Sequence, residues 1–197
     1  MRQRKQRVLL AFVLSFSLIL GGCGKERATF EPEPSEFFKM VRDGEIEDIS
    51  LTIYYMSLSI WTLIPVDIES IIETCGSEEF IMHGSGGIIV VEGTELAKHT
   101  DLLIALSSEV LIPIERDYYI NARIYYVFKD KSENTLFEVA MWSYAKGSAG
   151  QDRIAIFVNG LYVKEKDIYY DIIIPFIPDE RIVSRLEEMK PSSGKRP

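Results

Sequence analysis

Cysteine and histidine are scarce, two of each in 197 residues. Two cysteines build no disulfide framework, so a folded domain must be held by its core. Hydrophobic residues at 47% make such a core attainable. His83, His99 and Cys75 stand too far apart for any recognised zinc spacing. The chain also lacks the Asp-x-Asp-x-Asp-Gly calcium loop, the Gly-x-x-x-x-Gly-Lys phosphate loop and the Gly-x-Gly-x-x-Gly turn of dinucleotide sites. No metal or cofactor is therefore expected. Positive charge is short as well: 22 Lys and Arg face 30 Asp and Glu, a formal −8. Such a surface is repelled by phosphate backbones, which argues against nucleic acid as a partner.

Long apolar runs are missing too. The run Val8–Leu20 falls short of the roughly 20 residues that a membrane span needs. It follows Arg2, Arg4, Lys5 and Arg7 and ends in small residues, the pattern of a secretory signal. Its last residues, Leu20-Gly21-Gly22-Cys23, resemble the lipobox of bacterial lipoproteins. That resemblance covers about the first 23 residues. It implies a diacylglyceryl group on the Cys23 sulfur, cleavage before Cys23, and residence on the extracytoplasmic face of the cell membrane. Two or more acyl chains give stable attachment without a spanning helix. Loss of residues 1–22 leaves 18 basic against 30 acidic residues, a formal −12.

The expected organisation is a signal peptide over 1–22, a lipidated cysteine with an extended tether over 23–34, a globular domain over 35–190 and a frayed tail over 191–197. Pro32 and Pro34 alternate with glutamates in the tether and deny it regular structure. Ser35 suits the cap of a helix over 36–42 that Asp43-Gly44 ends. Ile49, Leu51, Ile53 and Tyr55 alternate with Ser50, Thr52, Tyr54 and Met56, the period of a strand. Asp67 caps a helix with Ile68, Ile71 and Ile72 on one face, ending at Cys75-Gly76. Residues 80–83 and 88–91 read as hairpin arms around Gly84-Ser85-Gly86-Gly87. Thr94 caps a helix from Glu95 to about Ser108, with Leu96, His99, Leu103 and Leu106 in one stripe. Pro113 confines 110–115 to an edge strand.

Strands over 120–129 and 135–144 form the expected centre. A turn over 131–134 sets Phe128 opposite Phe137, Tyr126 opposite Val139 and Ile124 opposite Met141, with Tyr125 near Ala140 and Arg123 near Trp142 on the other face. Asn159-Gly160 between two apolar runs marks a type I′ hairpin. Over 167–177, three consecutive isoleucines fit a strand, but Asp167 as a cap and Pro175 as an exit favour a helix. Pro178-Asp179 opens an amphipathic helix carrying Ile182, Val183, Leu186 and Met189. The fold class is α+β: a single domain, mainly antiparallel sheet with about four short helices.

Few residues suggest catalysis. Cys75 falls at a helix C-terminus, where the macrodipole disfavours a thiolate, so it reads as a buried structural cysteine. His83-Gly84-Ser85-Gly86-Gly87 lacks the first glycine of a nucleophile elbow and precedes a strand, so a hairpin turn explains it better. His99 lies on an apolar stripe. The aromatic strands leave a second face, and the candidate binding surface comprises Arg123, Tyr125, Trp142, Tyr144, Lys146 and Ser148. The reading is a lipid-anchored binding, sensing or adaptor module with a protein or peptide partner. Its rivals are an extracytoplasmic hydrolase built from carboxylates or His83 and Ser85, and a structural partner of a membrane complex.

Overall fold

A computed structural model describes residues 36–57, 66–82, 86–114, 121–142 and 156–193. Six antiparallel strands form one sheet: β1 (Ile49–Met56), β2 (Gly86–Val91), β3 (Ala122–Asp130), β4 (Thr135–Trp142), β5 (Ile156–Val158) and β6 (Leu161–Val163). Their order across the sheet is β2-β1-β3-β4-β5-β6. The helices are α1 (Glu36–Asp43), α2 (Ile68–Gly76), α3 (Glu78–Met82), α4 (Gly93–Leu96), α5 (Thr100–Ser107), α6 (Ile168–Asp171) and α7 (Glu180–Met189). The class is α+β, with more helical segments than the four expected.

Local chemistry explains several boundaries. Gly44, at φ 83°, ends α1, where Glu45 N–H reaches the Met40 carbonyl and Gly44 N–H reaches that of Val41. Asp67 Oδ1 accepts from Ser70 N–H at 2.8 Å, the cap expected there, and at the Pro178-Asp179 helix start Asp179 Oδ1 accepts from Arg181 N–H at 2.9 Å. Asn159 and Gly160 take φ 46° and 82°, the pair of positive values that a type I′ turn requires.

One sheet face carries most of the core. Leu51, Ile53, Ile124, Tyr126, Phe128, Phe137 and Val139 point into it. Helices α1, α5, α6 and α7 cover them, contributing Phe37, Val41, Leu103, Leu106, Tyr170 and Leu186 among others. Phe37 stacks on Phe137 with centroids 5.2 Å apart and tilts against Phe128 at 4.7 Å. The Tyr126 hydroxyl donates to the Tyr169 carbonyl at 3.1 Å across this core. A smaller cluster fills part of the other face, where Ile71 and Cys75 of α2 meet Met56, Ala122, Tyr125, Val127 and Ala140.

The β3–β4 register has Phe128 opposite Phe137, Tyr126 opposite Val139, Ile124 opposite Met141 and Tyr125 opposite Ala140, as the alternation predicts. Four other readings need correction. Residues 80–82 are not a hairpin arm: 78–82 form α3, where Ser77 Oγ accepts from Phe80 N–H, and β2 pairs with β1 instead. The helix expected over 95–108 starts at Gly93 after Glu92 and tightens into a 3-10 turn at Ala97–His99, where Thr100 Oγ1 donates to the Ala97 carbonyl. The buried face of α2 is Ile71 and Cys75, a step of four, and Ile72 is exposed. Residues 168–171 and 174–176 are helical as favoured, but the Asp167 side chain makes no cap bond there. It accepts instead from Ser192 N–H at 3.1 Å.

Candidate functional site

The surface expected from sequence is only partly described, and its described side chains are interior. Ala122 pairs with Trp142 and Ile124 with Met141, so Arg123 is the extra residue of a β-bulge and does not face Trp142 as expected. It is 3% exposed, and its Nη1 donates to Asn121 Oδ1 at 2.9 Å. Burial lowers its pKa, because the charged guanidinium gives up water. Tyr125 is 5% exposed, its ring stacks on Tyr54 at 5.8 Å, and its hydroxyl donates to Glu138 Oε2 at 2.7 Å. Desolvation, helped by that carboxylate, pushes its pKa up. Trp142 ends β4. Tyr144, Lys146 and Ser148 lie outside the described residues, as do Cys23, His83 and Ser85.

Cys75 is fully buried and free, with its Sγ 3.3 Å from the Tyr55 carbonyl it donates to. Burial pushes the thiol up to about 11, so at neutral pH it is protonated and shielded. His99 packs edge-on against Phe176 at 4.9 Å. Both positions suit packing. Among the described residues no three His, Cys, Asp or Glu side chains stand where they could hold a metal ion, and no helix is long and apolar enough to cross a membrane.

The more exposed feature lies at the other side of the sheet. Strand β2 is the last in the order, with β1 on one side and no described strand on the other. Its register sets Val90 opposite Thr52 and Ile88 opposite Tyr54, on the face that α2 covers only in part. Val90 is 59% exposed and Ile88 41%. Two exposed aliphatic residues at a spacing of two are the side-chain half of a strand-pairing surface, and unpaired main-chain groups are the other half.

Beside this strand lies a groove of about 360 Å³ that also touches Val90. Glu47, Asp48, Glu92, Asp130 and Glu133 line it, against the single ammonium of Lys131. Gly93 brings the first two elements together: a Cβ there would lie 2.5 Å from the Glu47 carbonyl oxygen, so only glycine lets the turn after β2 rest on the turn before β1. Lys131 is held by Asp48 at 2.5 Å and Glu133 by Lys129 at 2.9 Å. Asp130 accepts from the Asn134 side chain and main chain and from Ser132 N–H, which lowers its pKa. Glu47 and Glu92 have no ion-pair partner among the described residues, which leaves the groove negative.

Sequence reasoning missed this arrangement. Residues 88–91 were legible as a strand, with Gly86 and Gly87 assigned to a turn, but the strand's partner and its edge position depend on long-range pairing. No protein-family pattern, curated protein or solved structure matches the chain.

Proposed function

We propose that this chain is a lipid-anchored binding module, tethered through Cys23 at the extracytoplasmic face of a cell membrane and recognising a protein or peptide partner. The anchor rests on the basic leader, the short apolar run and Leu20-Gly21-Gly22-Cys23. The binding role rests on one observation above the rest: the outer strand β2 leaves Ile88 and Val90 exposed beside a carboxylate-lined groove. Exposed aliphatics on an edge with no partner among the described strands invite association, and natural domains usually blunt such edges unless they are used. The acidic surface directs that association away from nucleic acid. The function needs no cofactor.

Two measurements on the full chain in a bacterial host test the reading. Wild-type protein should carry the mass of a diacylglyceryl group and partition into detergent, and Cys23→Ala should lose both. A photo-crosslinking residue at position 90 should capture a defined partner in the native membrane. Identical mass and partitioning for Cys23→Ala would remove the anchor. No specific adduct from position 90 would remove the binding surface.

A further inference from the structure

We infer that the free edge of β2 receives an extended peptide as a seventh strand, with a Lys or Arg of that peptide seated in the acidic groove. This rests on the binding-module reading and names its ligand class. The devices that protect natural strand edges are lysine, proline, bulges and a covering segment. Gly86-Gly87-Ile88-Ile89-Val90-Val91 contains no lysine or proline, its pairing with β1 runs without a bulge, and no described strand pairs with its outer edge. The exposed pair Ile88 and Val90 matches a ligand whose apolar residues alternate, because cross-strand neighbours stand about 5 Å apart on a shared face. Main-chain hydrogen bonds would supply affinity, and the side-chain pattern specificity.

Charge decides the second half. Glu92 directly follows the strand, Gly93 holds it against the Glu47 turn, and neither carboxylate has an ion-pair partner among the described residues. A strand added along β2 would therefore run past Val90 and Glu92, the two groove-lining residues on its side of β1. A cationic side chain there gains two carboxylates in a concave setting, where screening is weaker than on open surface. A second copy of this chain fits less well. Antiparallel pairing of β2 with its own copy would bring this acidic end against the Gly86 end, where α3 carries Glu78 and Glu79, and each copy cleaved before Cys23 would have a formal charge of −12. Repulsion opposes that dimer, whereas a basic peptide relieves the same charge.

The test uses the full chain in neutral detergent and three fluorescent eight-residue peptides. One alternates Val and Thr and ends in two Lys, one ends in two Glu instead, and one has the composition of the first with its alternation scrambled. The alternating Lys peptide should bind at least about tenfold more tightly than either control, and added salt should weaken it. Val90→Lys and Glu92→Lys should each weaken binding by about tenfold or more, with unchanged melting temperatures. Equal affinity for the Lys and Glu peptides, or full binding by Val90→Lys, overturns the inference. So does a wild-type dimer that Val90→Lys dissociates, since the edge then serves a second copy. If no peptide binds but position 90 still crosslinks a partner in the membrane, this ligand class is wrong and the module reading stands. If both fail, both fall.

Discussion

Strands β3 and β2 are similarly apolar, yet they lead different lives. Every residue from Ala122 to Phe128 in β3 is buried, on both faces of the sheet. In β2 the alternate residues Ile88 and Val90 remain in water. Position in the sheet makes the difference. β3 sits between β1 and β4, with the large core on one face and α2 on the other. β2 has one neighbour among the described strands, and α2 covers only part of the second face. Composition thus states that a segment is a strand, while topology decides whether it stabilises the fold or remains available for recognition.

The strongest way to break the contrast is to truncate the covered face. Phe128 is fully buried and touches the rings of Phe37, Tyr126 and Phe137. Phe128→Ala should destabilise the domain by about 3–5 kcal/mol, through lost burial and a cavity its neighbours cannot fill. Urea denaturation measures it. A loss below about 1 kcal/mol would mean that the aromatic cluster is not the centre of stability.

A smaller effect is expected at Cys75, which joins α2 to the second face. Cys75→Ser places a more polar group in the same apolar site and should cost about 1 kcal/mol. The thiol adds a pH signature. Burial raises its folded pKa from 9.0 to about 11, so the folded state holds the proton more tightly than the unfolded chain. The resulting stability is fully present below pH about 9 and is lost as pH rises through about 11. Between pH about 8 and about 10.5 the wild type should therefore lose more stability than Cys75→Ala, in which the tyrosines titrate alike. Parallel losses in the two proteins would show that the thiol is not protected by the fold.

What the sequence disclosed follows the same divide between local and long-range chemistry. The β3–β4 register was readable because a short turn joins two alternating strands, so a one-residue slip would bury the wrong side chains. The Asp67 cap, the Pro178-Asp179 helix start and the Asn159-Gly160 turn were readable because each bonds or bends within a few residues. The pairing of β2 with β1 was not, since 29 residues and two described helices separate them, and a glycine-rich turn offered a nearer partner. The bulge at Arg123 escaped because the alternation runs through it unchanged. The groove escaped for another reason: its carboxylates come from three distant segments, and in a chain with 30 acidic residues no one of them stands out.

The smallest expected effect sharpens the contrast most. Val90→Thr keeps the β-branched shape that a strand favours and replaces one methyl by a hydroxyl. In a buried strand that change would strand a polar group and cost one or more kcal/mol. At Val90, already 59% exposed, the hydroxyl finds water, so stability should change by no more than about 0.5 kcal/mol. The same substitution at Val127, 3% exposed on the face that α2 covers, should cost at least about 1 kcal/mol. Comparing the two variants by urea denaturation removes side-chain chemistry as a variable and leaves only the site. If Val90→Thr proves as costly as Val127→Thr, then Val90 is covered in solution, and β2 is an inner strand with nothing to offer a partner. If it is silent in stability yet weakens peptide binding, the apolar surface of the edge serves recognition alone.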